Sequence, residues 1–145
     1  RLVDELGFAY ASDTRGRRPF YPIVGGSPLR TLQTPTTLPT LDAVLGLDGM
    51  DGGTLPKLVK SALDRDAWPV VTLHAEMEGG PFLWVAEQLL ADCAARGVAC
   101  LPLVRVLERV RVSGEDRIPK VEVINAPIRG RAGLVAMPLK LPPAA

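Results

Sequence analysis

The sequence predicts an α/β fold from three observations. Short apolar or β-branched runs of strand length recur along the chain. Amphipathic helical patterns lie between them. Their order is strand, long loop with a further strand, helix, strand, helix, strand, which is the order of a parallel sheet or barrel. The 145 residues suit one domain with enough surface to bury a core. With 47% hydrophobic and 23% charged residues, the chain reads as globular rather than disordered. A formal net charge of +1 gives no bulk electrostatic pull toward a polyanion, so no nucleic-acid partner is expected. No apolar run approaches about 18 residues, so no transmembrane helix is predicted. No signal-peptide pattern is visible. The chain starts at Arg1 without a methionine, and a missing N-terminal part is expected.

In order, residues 1–6 read as the last turn of a helix, stopped by Gly7. Phe8 to Ser12 read as a strand, and Asp13-Thr14-Arg15-Gly16 as the loop at its C-terminal end. Residues 17–40 are rich in Pro, Gly and Thr. Arg17 to Pro22 read as irregular backbone and Gly25 to Pro28 as a turn. Leu29 to Thr34 read as a short strand, and the prolines that follow exclude a central strand there. Asp42 to Leu47 form a helical turn, with a flexible stretch at Gly49 to Gly53. Thr54 is an N-cap, with Pro56 in the first turn. Leu55, Leu58, Val59, Ala62 and Leu63 recur at helical spacing, which predicts a helix over Thr54 to Arg65. Phe82, Val85, Ala86, Leu89, Leu90 and Cys93 form the apolar stripe of a second helix over Phe82 to Arg96, stopped by Gly97. Val98 to Leu101 read as the next strand. Beyond about Val112 the pattern fades, with a strand at Val121 to Ile124, an Arg/Gly/Val stretch at Ile128 to Met137, and a frayed tail from Leu139 to Ala145.

The segment on which the rest turns is Val70 to Gly80. It carries the one histidine of the chain, His74. Val70, Val71, Thr72 and Leu73 read as a buried strand, ended by Gly79, Gly80 and Pro81. With a period of two, Val71, Leu73 and Ala75 share one face, while Thr72, His74 and Glu76 share the other. A polar residue at the C-terminal end of a parallel strand is where βα-barrels keep their chemistry. The plainer reading is a core histidine bonded to a backbone carbonyl.

Other residues have a functional reading beside a plain one. Asp13 and Arg15 form a polar pair at a strand end, or an Asx-type turn. Gln33 and Thr34 offer donors and acceptors to a sugar, or hold their loop together. Arg17 and Arg18 read as a solvated face. Cys93 and Cys100 lack the spacing of a zinc site and read as small buried apolar residues.

Four runs carry a resemblance. Tyr10-Ala11-Ser12-Asp13-Thr14-Arg15-Gly16, followed by Pro19-Phe20 and Pro22, is similar to a strand-end segment of the polysaccharide deacetylase-like (NodB homology) family. Gln33 to Asp42 and Leu73 to Gly79 resemble the branch of that family that deformylates a formamido-arabinose carried on phospho-undecaprenol. So does the stretch from Gly97-Val98 to Pro102-Leu103. The resemblance covers residues 1 to about 110 as the C-terminal half of a catalytic domain. Residues 111–145 follow as an extension and tail, with weak similarity from Asn125 to Gly133. It implies the C-terminal part of a distorted (β/α) barrel and a metal-dependent amide hydrolase. It implies a divalent metal (zinc, cobalt or manganese) and a lipid-linked amino sugar substrate. It also implies a cytoplasmic enzyme, peripheral at the inner membrane. The histidine matching His74 is the family's general acid. The chain has no Asp-Asp pair and no second histidine, so the metal ligands and base are expected before Arg1. A sugar N-deacetylase and a non-catalytic carbohydrate-binding relative are the alternatives. A glycosidase using Glu76 and Glu78 is disfavoured because both lie in one short segment.

Histidine suits the acid's task because its unperturbed pKa of about 6.5 lets it carry a proton near neutral pH. An imidazolium needs an orienting partner, for which Asp13 is the first candidate and Glu76 the second. Arg15 is suited to pair with Asp13 or to bind a phosphate by two parallel bonds. Arg15, Gln33, Thr34 and Glu76 are the expected substrate contacts. His74, Asp13 and the Gln33-Thr34 loop are expected at one end of the sheet. One imidazole and scattered carboxylates fall short of the roughly three protein ligands of a catalytic metal site. The 145 residues alone are therefore expected to bind no catalytic metal tightly. Calorimetry giving tight, stoichiometric zinc binding would contradict this.

Overall fold

The helical spacings give the most direct correspondence between sequence and architecture. The computed structural model describes residues 1–65, 68–114 and 117–140. The elements, in order, are α1 (Leu2–Glu5), β1 (Tyr10–Ala11), β2 (Tyr21–Val24), β3 (Ser27–Pro28) and β4 (Leu32–Gln33). There follow α2 (Leu41–Val44), a 3-10 turn (Leu47–Gly49), α3 (Thr54–Arg65), α4 (Leu83–Ala95), α5 (Leu103–Ser113), β5 (Lys120–Ala126) and β6 (Val135–Pro138). The class is mixed α/β, as expected. The chain divides into two compact units.

The first unit comprises Arg1–Thr36, Pro102–Ile128 and the chain from Ala132. Among the described residues it contains all the strands. β1 pairs with β4 in parallel, and a second sheet runs β3-β2-β5-β6. In that sheet β2–β5 is parallel, while β2–β3 and β5–β6 are antiparallel, so the pairing is mixed rather than wholly parallel. Residues 21–24, expected to begin as irregular backbone, form a strand flanked on both sides. Pro22 is tolerated there because it contributes its carbonyl, which accepts the Leu29 N–H at 2.8 Å. Leu32 of β4 and Leu107 and Val110 of α5 form the unit's buried cluster, with Tyr10, Tyr21, Val106 and Ile118 packed against it. Helix α5 lay outside the elements expected from the sequence, although Leu103, Val106, Leu107 and Val110 recur at helical spacing beside a strand-like alternation of valines. Burial of Leu107 and Val110 on one side, with Val112 exposed, decides for the helix. Asp4 ties α1 to the strand region. Its carboxylate accepts the N–H groups of Arg30 at 2.6 Å and Thr31 at 2.7 Å, and the Thr31 hydroxyl at 3.0 Å. Leu139 is held by its N–H to the Glu122 carbonyl at 2.8 Å. The rest of the expected frayed tail, residues 141–145, lies outside the described residues.

The second unit comprises Thr37–Leu101 and Arg129–Arg131. Its core is Leu38, Leu41, Val44, Leu55, Val59, Ala62, Val85 and Leu89, with Val71, Met77 and Phe82 packed against it. Full burial of a Val or Leu side chain of this kind contributes about 1.5–3 kcal/mol. Thr54 is the first helical residue of α3 rather than its cap. Its hydroxyl accepts the Asp51 N–H, and the Asp51 carboxylate accepts the Gly53 N–H. α4 ends as predicted: the Gly97 N–H donates to the Ala94 carbonyl and the Val98 N–H to the Cys93 carbonyl. Two expected strands are absent. Residues 98–101 pair with no strand, and Cys100 is exposed rather than buried, while Cys93 is buried. Residues 70–73 have no strand neighbour, so they have no ladder, and Leu73 is 45% exposed.

Residues 129–131 reach this unit through a close backbone approach. Gly130 has a φ of +83°, and a Cβ there would stand 1.8 Å from the Ala43 carbonyl oxygen of α2. Beside it, Arg129 forms an ion pair with Asp48. Gly130→Ala adds a backbone clash to an unfavourable φ, and is expected to lower stability by about 2–3 kcal/mol. Urea denaturation measures this, and an unchanged midpoint would refute the contact.

Candidate functional site

His74 is positioned without a sheet. Thr37 pins the start of its segment. The Thr37 N–H and hydroxyl both donate to the Val70 carbonyl, at 3.2 and 3.1 Å, and the Val70 N–H donates back to the hydroxyl at 2.7 Å. Val71 packs on the core. The chain then turns over residues 75–82. The His74 carbonyl accepts the N–H groups of Met77 at 3.0 Å and Glu78 at 2.9 Å. The Glu78 carboxylate accepts the His74 N–H through Oε2 at 2.8 Å. Glu78 is only 2% exposed, and its Oε1 has no hydrogen-bond partner.

The His74 side chain is one-third exposed, and its Nδ1 lies 3.4 Å from Asp42 Oδ1. This carboxylate stands in the first turn of α2. The Thr40 hydroxyl beside it is the main influence holding the Asp42 carboxyl below the usual range, although Thr40 Oγ1 meets no strict hydrogen-bond geometry. Partial burial opposes the shift. The charges of His74 and Arg131 and the Asp42 amide reinforce it. Arg131 reaches Asp42's neighbourhood because Gly130 lets residues 129–131 close on α2. The sequence offered Asp13 and Glu76 as the carboxylate facing the imidazole; the carboxylate that faces it is Asp42. Its signal was there to read, since Thr40 and Asp42 bracket the start of a helical turn. Arg131 had no such signal, being remote in sequence with only a close backbone contact to bring it in.

Glu76 is exposed in the same unit as His74. Asp13, Arg15, Gln33 and Thr34 belong to the first unit. Asp13 is exposed. Arg15 is half-buried, and its N–H donates to the Ala136 carbonyl at 2.9 Å. Gln33 and Thr34 are buried. Gln33 Oε1 accepts the Thr14 hydroxyl at 3.1 Å, and the Thr34 hydroxyl donates to the Ala11 carbonyl at 3.2 Å. Both polar side chains are thus satisfied within their unit.

Among the described residues, no group of three or more His, Cys, Asp or Glu side chains is arranged to hold a metal ion. The residues present do not fit the divalent metal implied by the resemblance, and His74 and Asp42 together supply two ligands at most. No helix among the described residues is long and apolar enough to cross a membrane.

Known proteins resemble this chain over most of its length. It is 32% identical over 128 residues, 88% of the chain, to the probable 4-deoxy-4-formamido-L-arabinose-phosphoundecaprenol deformylase ArnD of Shewanella sediminis. It is 29% identical over 143 residues, 97% of the chain, to the protein of the same name from Wigglesworthia glossinidia brevipalpis. The chain spans 39% and 48% of these relatives' own lengths. No family model matches it.

The lowered carboxyls of Asp42 and Asp4 fix the sign of an acid response. For Asp4 the first cause is the Thr31 N–H, reinforced by the Arg30 N–H. A carboxyl depressed in the folded state stabilises it above the unfolded value of about 3.9, and that contribution is lost as pH falls through the lower folded value. Urea denaturation from about pH 6 down to about pH 2 should show stability falling with acid, and less steeply in Asp4→Asn and Asp42→Asn. Identical slopes in all three proteins would contradict these placements.

Proposed function

We propose that this chain, a homologue of the ArnD deformylases, carries the proton-delivering part of an amide hydrolase. The reaction is removal of a formyl group from an amino sugar, with lipid-linked formamido-arabinose as the substrate. The observation that carries this reading is the His74–Asp42 pair at 3.4 Å, on a partly exposed imidazole, inside the stretch shared with those relatives. The architecture proposed for the parent enzyme is a distorted (β/α) barrel, to which these residues contribute the C-terminal part.

An amide nitrogen is a poor leaving group until it is protonated. Asp42 faces Nδ1, which leaves Nε2 as the atom that delivers the proton. When the tetrahedral adduct collapses, the C–N bond breaks and its electron pair stays on nitrogen. The proton from Nε2 joins that nitrogen, and formate and the free amine depart. Asp42 keeps the ring oriented through the transfer and stabilises the imidazolium before it. The divalent metal expected for the family takes its ligands from outside the described residues, and no step here runs through it. Arg15 is assigned to an anionic group of the substrate and Glu76 to a sugar hydroxyl, while Gln33 and Thr34, buried and bonded within their own unit, hold the end of β4 in shape. Asp13 is assigned to holding Arg15. A lipid-linked substrate implies peripheral association with the cytoplasmic face of a membrane.

Formate release from a synthetic lipid-linked formamido sugar tests the reading in the active enzyme. His74→Ala is expected to lower kcat by roughly 10²- to 10⁴-fold with KM little changed. Asp42→Asn should lower kcat by about tenfold, the smaller loss expected of a group that acts through the imidazole. Release of acetate from the acetamido analogue instead would assign the enzyme to the sibling N-deacetylases. If His74→Ala keeps its kcat but loses about 1–3 kcal/mol of stability, His74 is a core residue and the reading fails.

A further inference from the structure

We infer that Glu78 is a positioning residue that holds His74 in place for proton delivery, an inference that rests on His74 being the general acid. The motif places Glu78 four residues beyond His74, and the structure links the two in both directions. The carboxylate accepts the His74 N–H at 2.8 Å, and the Glu78 N–H donates to the His74 carbonyl at 2.9 Å. Both main-chain polar groups of His74 are thereby fixed by one residue. The imidazole then has only its two side-chain torsions free, and Asp42 restrains those at 3.4 Å.

The rest of the turn makes this linkage rigid. Met77 and Phe82 pack on the core on either side of Glu78, and the Phe82 N–H donates to the Met77 carbonyl at 2.9 Å. Gly79 lets the turn close, since a Cβ there would lie 2.4 Å from the Ala75 carbonyl oxygen. A charged acceptor makes a bond roughly twice as strong as a neutral one. Yet Glu78 is an expensive way to cap one N–H. Its Oε1 is buried with no partner, and burying a carboxylate oxygen unsatisfied costs stability. A fold that needed only a filled space at position 78 would be better served by an apolar side chain. Holding the His74 main chain accounts for the carboxylate.

The test is a double-mutant cycle on the active enzyme, read as kcat, KM and melting temperature. Glu78→Met keeps the volume and removes both oxygens. It is expected to lower kcat by about 10- to 100-fold with KM little changed, the scale of a misplaced catalytic group. Its melting temperature should fall only slightly, because loss of the orphaned Oε1 offsets the His74 N–H left without its acceptor. Glu78→Gln keeps an acceptor and should restore kcat to within about threefold. In the His74→Ala background, Glu78→Met should have no further effect on kcat, because the group it positions is gone. A kcat loss that multiplies with His74→Ala would overturn the inference, and so would a Glu78→Met enzyme with parental kcat. Should Glu78→Met fail to fold, Glu78→Asp, which withdraws the acceptor by one methylene, is read in the same cycle against the same outcomes. A His74→Ala enzyme with parental kcat would instead overturn the general-acid reading itself, so the two failures are separable.

Discussion

The second unit depends on how Thr37 grips Val70. A β-branched run such as Val70-Val71-Thr72-Leu73 normally finds its place by pairing along its whole length with neighbouring strands. Here one threonine does so at one residue, giving two bonds to the Val70 carbonyl and taking one from its N–H. Three bonds at a single point fix where the segment starts but leave Leu73 open to solvent. The burden of fixing the far end passes to the turn after His74. That turn is held by packing of Met77 and Phe82 on the core, and by the bonds between His74 and Glu78. The imidazole thus sits between two anchors, one on each side of a short stretch with no ladder of its own.

A second constraint acts through α2. Its four residues bury Leu41, Ala43 and Val44, which fixes the helix on the core and turns Asp42 outward. The approach of Gly130 to Ala43 then brings Arg131 toward the same carboxylate. Core packing, a backbone close approach and a charge cluster are therefore one arrangement, and disturbing α2 disturbs all three. This is how a burial pattern four residues long comes to govern the electrostatics of a single histidine.

Much of this was legible in the sequence, and what was not has a physical reason. Helices α3 and α4 follow from apolar spacing, and Gly97 ends α4 with the two bonds expected of such a stop. Strands β1 and β4 lie within the stretches expected for them, and β5 contains the strand expected at Val121 to Ile124 and outruns it at both ends. Residues 70–73 have the composition of a strand, but a strand is a relation between segments, and composition says nothing of whether a neighbour is present. Residues 103–113 carry both periodicities, and only burial chooses between them. Pro22 argued against a strand because it lacks an N–H, yet its carbonyl is enough for the hairpin side of β2. At the site, His74 stood out as the one histidine, and Asp42 was visible as the first residue of an expected helical turn. The partnership between them was not visible, because it depends on the turn that carries His74 and the helix that carries Asp42 meeting in space.

The exposure of the pair bears on what it can do. With the imidazole one-third exposed and the Asp42 side chain half exposed, water screens the attraction between them. Two unit charges about 4 Å apart in water gain only about 1 kcal/mol, against several times that in a drier interior. Such a pair orients more than it binds. That is the balance a general acid requires, since it must surrender its proton in every turnover, and a buried ion pair would resist the transfer. The firmer bond in this region is instead the part-buried one from the His74 N–H to the Glu78 carboxylate, which involves no proton that the reaction moves. Rigidity is placed on the main chain, and the titrating ring is left in a weak, wet contact.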